Sequence, residues 1–166
     1  MANYKLVVCY DGSRYKGWQK QGNTDNTIQA KLEAALCGIV GEPVEVNGSG
    51  RTDAGAHARM QVASFRAKTE LSADALLERL RELLPEDIGA VSLEEANPRF
   101  HARLNCVGKT YVYRVWNSAQ PNVFERRYMY TVADSLDLDA MNAAAQHLIG
   151  SHDFSAFCSL KNMKKS

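Results

Sequence analysis

The sequence predicts an α+β fold with an antiparallel sheet and the element order β-α-β-β-α-β. Three observations support this prediction over the first 96 residues. Four segments have strand periodicity and two have helical periodicity. These six segments follow one another along the chain in the order given above. Each helical segment begins at a residue suited to capping and is followed by glycine or proline. This order is typical of the ferredoxin-like arrangement.

Apolar periodicity places each element of this first unit. Strands are predicted over residues 4–10, 44–46, 59–67 and 88–93, where apolar side chains alternate or run together. Helices are predicted to begin at Asn26 or Thr27 and at Ser72, and to end at Gly41 and before Pro85. The apolar face of each helix is interpreted as core, and Gln29 as a capping-box partner of the first helix.

A shorter set of elements follows a crossing segment at residues 97–104. Strands are predicted over residues 107–116 and 128–132, and a third helix is predicted to end at Gly150. In the first of these strands, alternation places Lys109, Tyr111, Tyr113 and Val115 on one face. The predicted organisation is a ferredoxin-like unit over residues 1–96, the crossing segment, and an incomplete second unit of similar type over residues 105–166.

Composition excludes several classes of protein. Hydrophobic residues make up 45% and charged residues 23% of the chain, as in ordinary soluble proteins, and no apolar run is long enough to span a membrane. The four cysteines are widely spaced, which predicts neither zinc binding nor disulfides. Cys9 and Cys106 are expected to be buried free thiols. The chain is expected to be cytoplasmic and its basic tail, Lys161 to Ser166, to be mobile.

The residues with the most chemical potential lie between the second and third strands, where the chain reads Gly48-Ser49-Gly50-Arg51-Thr52-Asp53-Ala54-Gly55-Ala56-His57-Ala58-Arg59. Glycines allow a backbone to approach a ligand closely. Asp53 would lie on a loop between two strands, where folds commonly present catalytic groups, and Arg51 would help to keep it ionised. Taken alone, an aspartate between glycines is better explained by an Asx turn, in which its side chain caps its own loop.

The string Gly-Arg-Thr-Asp-Ala-Gly-x-His-Ala, at residues 50–58, resembles the signature of the tRNA pseudouridine synthase A family. Three further stretches are similar to that family: Asp11-Gly12-Ser13 with Gly17-Trp18-Gln19-x-Gln21, Phe100-His101-Ala102-Arg103, and Lys109-x-Tyr111-x-Tyr113-Arg114. The resemblance runs from Tyr4 to Phe157. It implies that the chain is an isomerase that converts uridine to pseudouridine in the anticodon arm of tRNA, at positions 38 to 40.

The resemblance also implies roles for individual residues. Asp53 is expected to be the catalytic carboxylate, acting on the sugar, on the base or as a proton acceptor. Arg51 is expected to steady the flipped nucleotide or take its place, and Tyr111 to stack on the base. Further RNA contacts are expected from Arg59, Arg103 and Lys109, and from Trp18, for which a packing role is the alternative.

No cofactor or metal is implied, and the expected partner is tRNA rather than DNA or a membrane. The excess of basic residues between residues 96 and 131 permits a basic RNA-binding surface, although a solvated charged face explains it equally well. A homodimer is expected of the full-length protein, by resemblance to the family.

Family members are considerably longer, so the chain is expected to be truncated at its C-terminus. The missing part would supply the basic residue that pairs with the catalytic aspartate, and the 166-residue chain alone is therefore expected to be inactive. Two alternatives remain open. One is a catalytically incomplete RNA-binding module or fragment. The other is a metal-dependent hydrolase that uses Asp53, His57 and His152, whose spacing resembles no known ligand set.

Overall fold

The computed structural model describes residues 1–157, and the chain divides into two compact units. The first unit is Met1–Thr110, and the second begins at Tyr111. The expectations for Cys158 and for the tail from Lys161 to Ser166 lie outside the described residues. Among the described residues, no helix is both long and apolar enough to cross a membrane.

The first unit is an antiparallel four-stranded sheet with two helices. Its strands are β1 (Ala2–Tyr10), β2 (Val46–Gly48), β3 (Ala58–Ala67) and β4 (Ile88–Glu95), and its helices are α1 (Ile28–Val40) and α2 (Ala73–Leu83). The strands lie in the order β2-β3-β1-β4, and every neighbouring pair is antiparallel. The predicted α+β class and the order β-α-β-β-α-β are confirmed.

Local signals at the helix ends act as the sequence predicts. The hydroxyl of Thr27 accepts a hydrogen bond from the Ala30 N–H at 3.3 Å, and Ser72 caps α2 in the same way through Ala75. Helix α1 ends at Gly41, which has a φ of 77°. The capping-box role of Gln29 is wrong, because with Thr27 as the N-cap Gln29 lies one position too early and its side chain bonds elsewhere.

The core of the first unit lies between one face of the sheet and the two helices. Its buried residues alternate along β1 and recur at helical spacing in the helices: Tyr4, Leu6, Val8 and Tyr10 from the strand, and Leu32, Leu36, Leu76 and Leu80 from the helices. The rings of Tyr4 and Phe65 stack with their centroids 5.1 Å apart. The two helices therefore cover one face of the sheet, and the loops that follow the strand ends lie outside this core.

Strand β4 forms an edge of this sheet within the described residues. Its pairing with β1 shifts between Ser92 and Ala90, so that Val91 is left without a partner in the register. Arg81 of α2 donates hydrogen bonds to the carbonyl oxygens of Ala90 at 2.9 Å and Val91 at 3.0 Å. A guanidinium thus satisfies two carbonyl groups at the irregular part of the edge.

The crossing segment is tied to the other face of the sheet by polar side chains. Asn3 donates from Nδ2 to the carbonyl oxygens of Asn97 and Phe100, at 2.8 and 2.9 Å. The Ala102 N–H donates to Ser64 Oγ at 3.0 Å, and the Ala102 side chain is buried. These bonds determine where the chain leaves the sheet, immediately before Arg103.

The second unit contains β5 (Val115–Asn117), β6 (Tyr130–Val132) and α3 (Leu138–Gln146). The strands β5 and β6 pair in parallel, unlike the antiparallel sheet expected for a second similar unit. The segment that joins them is about a dozen residues long, which is long enough for the return that a parallel pair needs. Helix α3 ends four residues before Gly150, the predicted stop.

The strand predicted over residues 107–116 is largely absent. Only Val115 and Trp116 of that range lie in a strand, so the shared face proposed for Lys109, Tyr111 and Tyr113 is wrong. Alternation predicts how a strand orients its side chains but does not supply a neighbouring strand. The predicted burial of Cys9 and Cys106 is also wrong, since both are free thiols that are partly exposed.

Candidate active site

Asp53 lies in the loop between β2 and β3, and its carboxylate is exposed. The loop turns tightly after it, since the Ala56 N–H donates to the Asp53 carbonyl oxygen at 3.1 Å and Gly55 has a φ of 80°. An Asx turn would require a backbone N–H to donate to the Asp53 side chain. No described residue does so, which removes this alternative and leaves both carboxylate oxygens available.

The first part of the loop is held by Gln61 of β3. Gln61 Nε2 donates to the Gly50 carbonyl oxygen at 2.6 Å, and Ser49 Oγ donates to Gln61 Oε1 at 3.2 Å. The backbone N–H of Ser49 donates to the Val62 carbonyl oxygen at 2.8 Å. The chain therefore leaves β2 in a fixed direction before it reaches Arg51.

The middle of the loop is held by the segment that follows β1. The Trp18 N–H donates to the Thr52 carbonyl oxygen at 3.0 Å, and the Gly55 N–H donates to the Tyr15 carbonyl oxygen at 3.3 Å. The hydroxyl of Tyr10 lies 2.9 Å from Thr52 Oγ1. Asp53 is thus flanked on both sides by residues that bond to residues 10–18.

Two glycines allow this close approach. A Cβ at Gly12 would lie 1.8 Å from the Ala56 carbonyl oxygen, where no side chain fits. A Cβ at Gly17 would lie 2.6 Å from the Thr52 carbonyl oxygen, and the φ of Gly17 is 90°, which disfavours other residues. These contacts explain in physical terms why glycine occupies positions 12 and 17.

His57 closes the far end of the loop. Its Nδ1 lies 3.1 Å from the Gly12 backbone nitrogen and 3.1 Å from Asp11 Oδ1. An unprotonated Nδ1 accepts the Gly12 N–H, and a protonated Nδ1 donates to the carboxylate, so the ring binds this segment in either form. The position of His57 gives it a structural role at the base of the loop.

The metal-hydrolase alternative loses support in this geometry. The Nε2 atom of His152, which belongs to the second unit, is hydrogen-bonded to the Ile149 carbonyl oxygen at 2.7 Å. Within residues 1–157, no group of three or more His, Cys, Asp or Glu side chains is placed to hold a metal ion.

A cavity of about 380 Å³ lies beside the loop in the first unit. Four of the residues predicted to contact RNA line it: Trp18 and the basic residues Arg51, Arg103 and Lys109. The lining also includes one carboxylate, that of Glu45, so its three cations outnumber its acid. Lys109 Nζ lies 3.3 Å from where a Cβ of Gly50 would be, so this glycine leaves space for the ammonium group. Within the described residues, none of the three cations has an ion-pair partner, and the cavity therefore suits an anionic ligand.

The remaining residues predicted to contact RNA differ in their placement, since Trp18 lines the cavity but is buried, whereas Arg59 and Tyr111 do not line it. Trp18 is 2% exposed and packs against Gly48, so the packing role is the one that its burial supports and its ring faces are not open to a base. Arg59 is exposed on β3 but does not line the cavity. Tyr111 belongs to the second unit, and its side chain is 69% exposed.

Sequence reasoning missed Tyr10 and Gln61 as supports of the loop. Alternation along β1 places Tyr10 on the same face as Tyr4, Leu6 and Val8, and the ring of Tyr10 is buried on that face. A signal was available, since a buried tyrosine usually needs a hydrogen-bond partner for its hydroxyl. Burial raises the pKa of Tyr10 although its hydrogen bond with Thr52 opposes the shift, so the phenol stays neutral.

The chain is similar to known proteins over its whole length. The profile of a family described as tRNA pseudouridine synthase matches residues 6–105. The chain is 48% identical over its whole length to tRNA pseudouridine synthase A 2 of Bacillus cereus, and 46% identical to tRNA pseudouridine synthase A 1 of Clostridium tetani. It spans 68% of each relative. The family match includes the Asp53 loop, the segment that holds it and the whole crossing segment, and the chain therefore belongs to the tRNA pseudouridine synthase family.

Proposed function

We propose that this protein isomerises uridine to pseudouridine in tRNA, with Asp53 as the catalytic carboxylate. The observation that supports this most directly is the state of Asp53: its carboxylate is exposed and accepts no hydrogen bond from the described residues, while its backbone is held on both sides. A positioned carboxylate with free oxygens is suited to attack a carbon or to accept a proton. Relatives that match the whole chain are named tRNA pseudouridine synthases.

The reaction requires few chemical groups from the protein. The N-glycosidic bond breaks, the base turns, and a carbon of the base joins the sugar, with no net gain or loss of atoms. No external oxidant or group donor enters this balance, and we therefore propose no cofactor. The fixed loop supplies orientation, which is a large part of what an enzyme contributes to such a reaction.

The cavity beside the loop is proposed to take part of the RNA backbone. Arg51, Arg103 and Lys109 would bind phosphate oxygens there, in accordance with the general role of basic side chains in positioning nucleic acids. Arg51 is close enough to Asp53 in sequence to act on the flipped nucleotide as well. Arg59, exposed on β3, is proposed as a further phosphate contact.

Tyr111 is proposed to stack on the target base. Its exposed ring is available for stacking, which contributes about 1–3 kcal/mol per base. That energy is comparable with the few kcal/mol needed to unstack a nucleotide. The anticodon arm as the target, the homodimer and the cytoplasmic location are proposed on the family resemblance.

The test is the substitution Asp53→Asn in the complete product of the gene, assayed for pseudouridine under single-turnover conditions on a tRNA transcript. The change is nearly isosteric and removes the charge, so turnover is expected to be abolished while tRNA affinity stays within a few-fold. Asp25→Asn, at another exposed aspartate of the first unit, is the matched control and should be fully active.

Substantial turnover by the Asp53→Asn variant would refute the catalytic assignment. Binding of tRNA by the unmodified protein without any pseudouridine formation would instead favour the RNA-binding module. The expectation that the 166-residue chain alone is inactive stays a prediction, and the same assay on that chain tests it.

A further inference from the structure

The hydroxyl groups of Tyr10 and Thr52 meet directly behind the Asp53 loop. Tyr10 is the last residue of β1 and is 5% exposed, and its oxygen lies 2.9 Å from Thr52 Oγ1. We propose that Tyr10 is a positioning residue for the reaction, which acts through Thr52 to fix the direction of Asp53. This inference rests on the proposed function and adds a residue to it.

Packing alone does not account for a tyrosine at this position. The ring of Tyr10 packs near that of Trp18, with centroids 6.1 Å apart, and a phenylalanine would keep this contact. A buried hydroxyl costs free energy unless it is hydrogen-bonded. Among the described residues, Thr52 is the one hydrogen-bond partner of this hydroxyl. The hydroxyl therefore serves the loop rather than the core.

Thr52 is restrained at two points. Its side chain is held by Tyr10, and its carbonyl oxygen accepts the Trp18 N–H at 3.0 Å. The two restraints fix the side-chain rotamer and the orientation of the peptide group that leads into Asp53. Loss of the hydroxyl contact leaves the carbonyl contact in place, so the loop remains folded while its freedom increases.

Such a loss should affect the chemical step and not the binding of tRNA. A misplacement of about 1 Å can lower a rate about 100-fold when the reacting groups depend on orientation. Neither hydroxyl lines the basic cavity, so the proposed phosphate contacts are unchanged. The expected signature is a lower kcat at a constant KM.

The experiment compares Tyr10→Phe, Thr52→Val and the double variant in the complete gene product. Each single variant is expected to lower kcat about 10- to 100-fold with KM for tRNA within about twofold. Because both remove the same contact, the double variant should be no slower than the slower single variant. Thr52→Ser keeps the hydroxyl and should stay within about threefold of the unmodified rate.

Tyr4→Phe is the matched control. Tyr4 is buried on the same face of β1, stacks on Phe65 and lies at the other end of the strand from the loop. Its loss of a hydroxyl should leave kcat unchanged.

An unchanged kcat in Tyr10→Phe would overturn the proposal. So would an equal loss of kcat in Tyr4→Phe, or a double variant slowed by the product of the single effects. A failure of the proposed function itself would appear separately, as turnover by the Asp53→Asn variant.

Discussion

The two units of this chain have similar local sequence patterns, but only the first unit buries its apolar side chains. In the first unit, alternating strands and amphipathic helices place their apolar side chains in a common core. In the second unit, no residue between 111 and 157 is buried, although its helix is also amphipathic and capped. Periodicity determines which side chains share a face, whereas burial depends on a second surface that covers that face.

Helices α2 and α3 illustrate this difference in burial. Ser72 caps α2 through the Ala75 N–H, and Asp137 caps α3 through the Ala140 N–H at 2.9 Å. The two helix starts are therefore equivalent in their hydrogen bonds. Leu80 of α2 is fully buried, however, while Leu138 of α3 is 64% exposed.

The largest effect is expected from truncating these two leucines. Leu80→Ala should lower the free energy of unfolding of the first unit by about 2–5 kcal/mol, because it leaves a cavity in a packed core. Leu138→Ala should change stability by less than about 0.5 kcal/mol. Denaturant titration followed by far-ultraviolet circular dichroism, which reports the helices of both units, measures both variants. Equal losses would show that the second unit has a core that exposure does not reveal.

A smaller loss of stability is expected at Gly12, where two backbone segments of the first unit are in close contact outside the apolar core. Gly12→Ala would place a methyl group on the Ala56 carbonyl oxygen, so the Asp53 loop must shift, at a cost of about 1–3 kcal/mol. Gly22→Ala has no atom within 4 Å and is the control. Thermal unfolding and pseudouridine formation should both decline for Gly12→Ala only. A stable, active Gly12→Ala variant would mean that the loop is freer than its contacts indicate.

The smallest expected effect on stability comes from removing one carboxylate in each unit, Asp87 in the first and Asp153 in the second. Partial burial opposes ionisation of Asp87, but hydrogen bonds from Tyr15 at 2.5 Å and from Arg14 outweigh it and lower the pKa of Asp87. A hydrogen bond from the Ser155 backbone lowers the pKa of Asp153, which is fully exposed. Both carboxylates favour the folded state when ionised, but Asp87 ties together two segments of the first unit.

A lowered pKa in the folded state means that the stabilisation is present above the unfolded value, about 3.9, and is lost as the pH falls through the folded value. Asp87→Asn should therefore cost about 1 kcal/mol near pH 7, and the difference from the unmodified protein should shrink below about pH 4. Asp153→Asn should change the unfolding midpoint much less at either pH, because the Asp153 carboxylate is fully exposed and its bond joins residues only two positions apart. If Asp87→Asn differed from the unmodified protein by the same free energy of unfolding down to pH 2, the stabilisation would not come from the ionised carboxylate.

The sequence predicts the first unit well because its determinants are local. Thr27, Ser72 and Gly41 mark helix ends through bonds within one turn, and alternation identifies β1 from a single segment. The string around Asp53 identifies the loop for the same reason. The prediction fails for residues 107–114, where a strand would have required a neighbour that alternation does not specify.

The partners within the candidate site were not predicted from the sequence, for a related reason. Tyr10 and Thr52 are 42 residues apart, and no local pattern links them. Trp18 combines a polar loop position with full burial, which becomes evident only when its contact with Gly48 is seen. The residues proposed to do the chemistry were thus predictable from their own motif, and those that hold them in place were not.

The bonds from Arg81 to the edge strand β4 affect how the protein behaves at high concentration. Open strand edges can recruit the strands of other molecules, and such pairing leads to aggregation. At β4 the carbonyl groups of Ala90 and Val91 are already occupied by a charged side chain, and the irregular pairing beside Val91 twists the backbone away from a flat ladder. One arginine thereby makes this part of the edge less available to another strand, because that strand would have to displace a cation to bond to either carbonyl group.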